Sequence, residues 1–330
     1  MTVDIGRLRD GVLAGNRASL SRAITLVEST RADHRAQAND LLERVRPAAG
    51  KAYRIGVSGV PGVGKSTFLD VFGTMLAAHG HKLAVLAIDP SSTQVGGSIL
   101  ADKTRMPGLA ACNEAYIRPT PSRGALGGVA RATREAITLA EAAGFDLVFV
   151  ETVGVGQSEA IVADLVDLFL LLVLPGAGDE FQSMKKGVLE VADIFAVTKA
   201  DGDNLGRARE AARVLGSALR LLTSADRSGP PPVHLISAVA NTGLEALWED
   251  CTRFLETANA DGSFSRRRRN QLLKAFEAQL DQCLRDALTR DETLQGLISS
   301  SREAVAGARL SPEKAAGQIV DAFLSSRRSE

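Results

Sequence analysis

Cysteine is scarce in this chain of 330 residues: Cys112, Cys251 and Cys283 lie far apart, and no two of them form a C-x-x-C pair. Such usage supports neither a disulfide framework nor a zinc site and predicts a reducing compartment. An excess of charge of either sign is also missing, because Lys and Arg number 39 and Asp and Glu number 39. We therefore expect neither nucleic acid nor an acidic membrane surface as a partner.

Long apolar stretches are absent as well. The longest apolar run, Leu168 to Leu174, is far too short to cross a bilayer, and the start MTVDIGRLRD lacks the apolar core of a signal peptide. Hydrophobic residues nevertheless make up 45% of the chain, which is enough for a large core. These features predict a soluble cytoplasmic protein, and the length predicts about two domains.

The spacing of apolar residues predicts helices first and a sheet afterwards. In residues 1–50, Leu20 to Val27 and Leu41 to Val45 form two helical stripes, and Pro47 ends the second. Short, nearly continuous apolar runs then alternate with helical stretches, as in parallel strands covered by helices on both faces. The predicted fold class is α/β, a doubly wound, mostly parallel sheet with its ligand site at the carboxyl ends of the strands. The candidate strands are 53–58, 83–88, 115–119 (the weakest), 146–151, 168–174, 194–199 and 233–237.

The chain beyond the candidate strands predicts a separate helical segment. Because 259–265 (NADGSFS) marks a boundary, we expect a helical extension at 1–50, a central α/β domain at 51–262 and a helical arm at 263–330. Arg266 to Arg269 open the arm, and we interpret them as a solvated helix start instead of a nucleic-acid patch, since no aromatic residues accompany them. Apolar residues at steps of three and four then form a seam suited to packing against another helix. The seam consists of Leu273, Phe276, Leu280, Leu284 and Ala287.

One motif predicts a phosphate-binding loop. Residues 59–66 read GVPGVGKS, which matches G-x-x-x-x-G-K-[S/T] directly after a candidate strand and before a helical run. The glycines let backbone N–H groups converge on phosphate oxygens, Lys65 would reach the β- and γ-phosphates, and the Ser66 hydroxyl would bind Mg²⁺. We therefore predict a nucleoside triphosphate site. Its cradle consists of Gly59, Val60, Pro61, Gly62, Val63, Gly64, Lys65, Ser66 and Thr67.

Two further loops indicate which base this nucleotide carries. Thr198, Lys199 and Asp201 lie at and just after the end of one candidate strand in a T-K-x-D pattern, and Ser237 with Ala238 lies at the end of the next. The Asp201 carboxylate can accept hydrogen bonds from the guanine N1–H and exocyclic amine, a donor pair that adenine does not offer. An aspartate that merely caps a helix would explain T-K-A-D taken alone. Together with the phosphate loop and the S-A element, the pattern favours guanine, although Thr198 in place of the commoner Asn removes one loop-orienting amide.

Acidic residues between the phosphate loop and the fourth candidate strand predict a cation site. Asp89 ends an apolar strand, and Asp102 follows a bend at Gly96 and Gly97. Both carboxylates can approach Mg²⁺ directly or through water, because this ion prefers oxygen ligands and keeps several waters. Helix capping is the alternative role for each acid. Arg105, three residues further on, would reach phosphate.

Four stretches of the sequence, taken together, resemble one protein family. They are DPSSTQVGGSILADKTRM (89–106), VETVGVGQSE (150–159), PGAGDEFQSMKKGVLEVAD (175–193) and TKAD (198–201), in this order. In this they resemble the methylmalonyl-CoA mutase-associated GTPases, the MeaB/MMAA family once also labelled ArgK. The similarity extends over about residues 10 to 325, and the third stretch is the most diagnostic, because GTPases in general have no counterpart to it.

The resemblance implies roles for several residues. Glu151 would act near Mg²⁺ through water, and Val155 stands where many signalling GTPases carry a catalytic glutamine, so slow intrinsic GTP hydrolysis is expected until a partner completes the site. The local candidates to complete it are Gln157, Asp179 and Lys185. Residues 179–187 would form a third switch that reports whether GTP or GDP is bound, and the C-terminal helices would form a dimer arm.

The function implied is that of a homodimeric GTPase chaperone for an adenosylcobalamin-dependent acyl-CoA mutase, with methylmalonyl-CoA mutase as the family's usual client. GTP hydrolysis would gate cofactor delivery and protect the mutase. A P-loop kinase, as the ArgK label implied, is one alternative, although no acceptor-binding lid is evident. A nickel metallochaperone is another, although His34, His79, His81 and His234 are scattered. A nucleotide-locked scaffold without hydrolysis is the non-enzymatic alternative.

Overall fold

A computed structural model describes residues 4–89, 104–121, 126–152, 158–176, 186–222, 229–290 and 292–326. The chain divides into two compact units, Met1–Arg268 and Arg269–Glu330. The first unit contains the sheet and the helices around it, and the second contains only helices. The finer division at residues 50 and 262 stays a prediction.

Seven parallel strands form the sheet of the first unit, in the order β3-β2-β4-β1-β5-β6-β7. This confirms the predicted doubly wound α/β fold, including the weakest candidate strand. The central strands are buried on both faces, which explains their nearly continuous apolar sequences. The strands are β1 Tyr53–Ser58, β2 Leu83–Asp89, β3 Ala115–Pro121, β4 Leu147–Thr152, β5 Leu168–Val173, β6 Ile194–Val197 and β7 Val233–Leu235.

Helices cover both faces of the sheet, and alternate strand residues point into two separate cores. Ala84 and Leu86 of β2 face one core, whereas Leu83 and Val85 face the other. The helices of the first unit are α1 Ile5–Leu13, α2 Arg17–Val27, α3 Ala32–Val45, α4 Lys65–Ala78, α5 Pro107–Ala111, α6 Leu126–Ala142, α7 Ser158–Ala163, α8 Lys186–Val191, α9 Leu205–Leu222 and α10 Leu244–Ala260; α11 Ser263–Arg290 begins there, and α12 Glu292–Ala306 and α13 Pro312–Ser326 follow in the second unit.

The N-terminal segment contains three α-helices, whereas the sequence pattern predicted two. The helix that was missed, α1, buries Leu8 and Val12, one turn apart. A turn through Gly15, whose φ is +71°, separates it from α2. The Asn16 side chain then caps α2 by accepting a hydrogen bond from the Ser19 N–H at 2.9 Å. The break between α1 and α2 thus has a local cause that the apolar pattern does not contain.

The prediction of a solvated helix start holds for the exposed Arg266 and Arg269 but is wrong for the other two arginines, as Arg268 shows. Its guanidinium donates to both carboxylate oxygens of Asp167, at 2.7 and 2.6 Å, and the Asp167 side chain is fully buried. It also donates to the carbonyls of Gly50 (2.7 Å) and Ala52 (2.6 Å) and lies 4.3 Å from the centre of the Phe264 ring. The first turns of α11 are therefore bound to the amino end of β5 and to the chain entering β1.

Arg267 makes a second, parallel attachment. Its guanidinium forms a two-pronged pair with Asp193 at 2.8 and 2.9 Å and donates to the Asp167 carbonyl. Asp193 in turn accepts from the Phe169 N–H at 2.9 Å, so the pair is joined to the backbone of β5. Both arginines thus form ion pairs with buried carboxylates of the first unit. We call the four side chains Arg267, Arg268, Asp167 and Asp193 the arginine clamp.

The predicted apolar seam on α11 is half-exposed. The exposed fractions of Leu273, Phe276, Leu280 and Leu284 are 54%, 64%, 47% and 49%. A hydrophobic strip of this kind on one helix marks a surface that another protein surface can cover. Among the residues that the structure describes, no helix combines the length and apolar character that a bilayer crossing requires.

Candidate nucleotide-binding site

The glycine-rich loop lies between β1 and α4, at the centre of the sheet's carboxyl edge. Gly59, Gly62 and Gly64 have φ angles of +153°, +80° and +97°, which side-chain-bearing residues rarely adopt. A Cβ added at Gly59 would lie 2.5 Å from the Leu172 carbonyl oxygen, so the loop also passes tightly against β5. The strand–loop–helix arrangement directs the first N–H groups of α4 toward the space where phosphates would sit.

Lys65, the first residue of α4, is buried with its ammonium group inside this loop. Its Nζ donates to the carbonyl of Gly59 at 2.7 Å and lies 3.3 Å from that of Val60. Burial lowers the pKa of Lys65 below its usual range, and the negative charges of Glu151 and Glu159 partly offset this. The cation is thus held by neutral carbonyls, and phosphate oxygens would be stronger acceptors.

Ser66 and Glu151 bring oxygen donors together from two elements. The Ser66 Oγ donates to Glu151 Oε1 at 3.2 Å, and Glu151 is buried at the end of β4. Beside it, Ile88 of β2 pairs with Thr152, so the backbone of Asp89 reaches the same sheet edge. A hydroxyl and a buried carboxylate at one edge fit a small hard cation such as Mg²⁺.

Several predicted site residues are not described. Asp102, Gln157, Asp179 and Lys185 lie outside the described residues, and of Asp89 only the backbone is described. Arg105 is described: it is exposed and comes immediately before the buried Met106 that leads into α5.

Thr198 connects the predicted base-reading loop to the phosphate loop. Its Oγ1 donates to the Val63 carbonyl at 2.9 Å, and its N–H donates to the Val173 carbonyl at 2.8 Å. The amide of the commoner Asn is absent, as the sequence indicated, but the threonine hydroxyl supplies a donor to the phosphate loop. The Thr198 side chain is buried, which favours this bond over one to water.

Lys199 makes a second connection between the same loops. Its Nζ donates to the Gly62 carbonyl at 3.0 Å. Its φ of +55° places a non-glycine residue in the left-handed region, a strained conformation that is concentrated at functional sites. Together, Thr198 and Lys199 hold the two loops in one arrangement.

Asp201 is oriented by Ser237, as the sequence pattern indicated. The Ser237 Oγ donates to Asp201 Oδ2 and accepts from the Ala240 N–H at 3.0 Å. Reciprocal backbone bonds of 3.0 Å between Ser237 and Thr242 fix the serine, and the half-buried Ala238 follows it. An oriented carboxylate at this position can accept from two adjacent N–H donors of a base.

Glu159 is a charged residue near the phosphate loop that sequence reasoning did not select. It is only 5% exposed, lies in the first turn of α7, and its charge acts on Lys65. Gly56 of β1 allows α7 to approach, since an added Cβ would lie 2.8 Å from Val162. The one available signal was an acid directly before the short apolar run A-I-V.

Comparisons with known proteins show which family this chain is similar to. The family model described as Methylmalonyl Co-A mutase-associated GTPase MeaB matches residues 20–293. A probable GTPase of Mycobacterium tuberculosis is 50% identical, over 95% of this chain and 94% of its own. The mitochondrial methylmalonic aciduria type A homolog of Mus musculus is 43% identical, over 97% of this chain and 80% of its own.

A solved structure extends the likeness to three dimensions. The crystal structure of an LAO/AO transport system kinase has a TM-score of 0.77 and 34% sequence identity, and it covers 98% of this chain and 99% of its own. The family match and the GTPase names support a guanine-nucleotide-binding enzyme that hydrolyses GTP. The chain belongs to the family of methylmalonyl-CoA mutase-associated GTPases, MeaB.

Proposed function

We propose that this GTPase is a chaperone that couples GTP hydrolysis to the loading and protection of an adenosylcobalamin-dependent acyl-CoA mutase. The observation that supports the chemistry best is the joining of the phosphate loop to the base-reading loop. Thr198 and Lys199 bind carbonyls of the phosphate loop while Asp201 is oriented by Ser237. The two joined loops would therefore form one site for the two ends of a guanine nucleotide. The mutase client rests on the family name, with methylmalonyl-CoA mutase as the first candidate.

In this proposal the chain's own groups divide the work at the phosphates. Lys65 leaves the carbonyls of Gly59 and Val60 for the β- and γ-phosphate oxygens. Mg²⁺ would be held by Ser66, Asp89, Asp102 and Glu151 and would supply charge neutralisation at the phosphates. The donor set contains only oxygen atoms, as this ion requires.

Completion of the catalytic site is the step we assign to the client. Val155 replaces a glutamine that would orient the attacking water, so the basal rate is low. Arg105, Gln157, Asp179 and Lys185 are the groups that would be rearranged when the mutase binds. Residues 179–187 would act as the transmitting switch, since coupling needs an element whose position both ligands influence.

The experiment that tests the proposal measures phosphate release from GTP with and without purified methylmalonyl-CoA mutase. We expect the mutase to raise turnover by at least about tenfold, which is modest beside the 10³–10⁵ that dedicated activators supply. An unchanged rate at saturating mutase would contradict the chaperone function. Transfer of the phosphate to a small acceptor instead of water would indicate a kinase.

Replacing Asp201 with asparagine should convert the nucleotide preference from GTP to XTP. The amide places a donor against the guanine N1–H and amine but suits the 2-oxo group of xanthine. GTP affinity is expected to fall by at least about tenfold, since a mismatched polar pair costs about 1–3 kcal/mol. Nucleotide titrations measure both affinities, and Asp203→Asn, two residues away, is the matched control. Equal competition by ATP and GTP in the parent protein would refute guanine recognition.

We assign the half-exposed seam on α11 to a dimer contact with a second copy of the chain. Changing Phe276 and Leu280 to glutamate should place two charges in that contact, and the native mass in light scattering should fall to that of one chain. Because both side chains are about half-exposed in a single chain, the far-UV spectrum should be retained. Ala278→Glu on the opposite side of α11 is the control, and a monomeric parent protein would exclude the assignment.

A further inference from the structure

Asp70 makes a contact that no role described so far requires. It lies on α4 four residues after Ser66, which is about one helical turn from the phosphate loop. Its Oδ1 accepts a hydrogen bond from the Leu109 N–H at 2.6 Å. The acceptor is therefore on the helix that begins with Lys65, and the donor is on α5, the short helix that follows Arg105.

The packing around this bond is close on both sides. A Cβ added at Gly73 of α4 would lie 2.9 Å from the Leu109 side chain, and one added at Gly108 would lie 3.2 Å from the Asp70 carboxylate. Leu109 and Met106 are fully buried in the same core as the apolar face of α4. The two helices thus meet at a spacing that glycine permits on each of them.

Helix α5 depends on this contact for its position. It has five residues, too few to be stable by itself in water, so tertiary contacts must hold it. The Asp70 carboxylate satisfies one of the N–H groups that the first turn of any helix leaves without an internal acceptor. Met106, buried at the entry to α5, fixes the chain one residue after Arg105.

We infer that Asp70 is a positioning residue that holds Arg105 at a set distance from the phosphate loop. The connection runs from Lys65 and Ser66 along one turn of α4 to Asp70, and from there through Leu109 and Met106 to the backbone of Arg105. This inference rests on the proposed function in one respect, namely that Arg105 acts on phosphate during hydrolysis. If the Asp70 cap contributed only to stability, the effect of its removal on kcat would be the same with and without Arg105.

A double-mutant cycle separates these two roles. Asp70→Ala is expected to lower kcat for GTP about tenfold, because a displacement of about 1 Å at a reacting group can cost up to about a hundredfold. GDP affinity should change less than about twofold, since the base-reading and phosphate loops stay intact. In an Arg105→Ala background, the same Asp70→Ala change should have almost no further effect on kcat.

Three controls complete the experiment. Asp70→Asn keeps an acceptor oxygen in place and should restore kcat to near the parent value. Asn16→Ala removes a helix cap of the same kind in the N-terminal helices, where the Asn16 side chain accepts from the Ser19 N–H at 2.9 Å. This change should leave kcat unchanged. Gly73→Ala displaces Leu109 without altering Asp70 and should lower kcat in the parent protein but not in the Arg105→Ala background. This variant replaces Asp70→Ala in the experiment if Asp70→Ala does not fold.

The inference is overturned if the losses from Asp70→Ala and Arg105→Ala multiply in the double variant, or if either single variant retains the parent kcat. Neither outcome would contradict GTP hydrolysis by the parent protein or its stimulation by the mutase. Failure of the proposed function would instead appear in the parent protein, as turnover that does not respond to the mutase. The two failures are therefore distinguishable.

Discussion

Replacing Lys65 with alanine is expected to lower GTP turnover by at least about a hundredfold, because removing one preorganised donor from developing charge typically costs 10²–10³ in rate. The structure places this ammonium group inside the phosphate loop, 2.7 Å from the Gly59 carbonyl, in a largely buried setting. In such surroundings a charge acts on phosphate more strongly than it would in water. The measurement is single-turnover phosphate release at saturating GTP.

The control for this variant is Lys82→Ala. Lys82 is exposed and precedes β2, at the opposite edge of the sheet from the phosphate loop, so its loss should leave turnover unchanged. GDP binding to the Lys65 variant should weaken less than turnover does, since the base-reading loop is untouched. Turnover within about threefold of the parent would show that the phosphates are bound elsewhere, because that change is far below the cost of a lost catalytic donor.

Replacing Arg268 with alanine is expected to destabilise the first unit by about 3–5 kcal/mol, the cost of removing one partner from a buried ion pair. The Asp167 carboxylate would keep its buried position while losing donors at 2.7 and 2.6 Å. The carbonyls of Gly50 and Ala52 would lose donors as well. Urea unfolding followed by tryptophan fluorescence measures the change, since Trp248 packs against Phe72 in the sheet's second core.

Arg269→Ala is the matched control, because the neighbouring Arg269 is exposed and should change the unfolding midpoint little. A paired replacement, Arg268→Met with Asp167→Asn, removes both charges together and should cost less than Arg268→Ala alone. Equal midpoints for Arg268→Ala and Arg269→Ala would contradict the structural role of the arginine clamp.

The strands were predictable because a parallel sheet covered on both faces produces a simple pattern in the sequence. Each central strand is buried along its whole length, so apolar residues occur without alternation and stand out from the helices. The phosphate loop was predictable for a different reason, since its spacing follows from the geometry of a strand, a tight turn and a helix start. Helix α1 was missed because Leu8 and Val12 alone are too few to form a recognisable stripe.

The contacts that could not be predicted are those between residues far apart in the chain. Arg268 and Asp167 are 101 residues apart, and Arg267 and Asp193 are 74 apart. A run of arginines carries no sign of which carboxylates it will meet, and exposure is the usual outcome for such a run. Asp70 and Thr198 show the same difficulty, since each role depends on one backbone group brought near by the fold.

The arginine clamp also determines where the chain can be shortened. A polypeptide ending at residue 262, the expected boundary, would retain Asp167 and Asp193 but lose both guanidinium groups that neutralise them. The smallest independently folding portion should therefore extend through Arg268, several residues into α11. The first two turns of α11 thus supply the positive charges that neutralise two buried carboxylates of the nucleotide-binding unit.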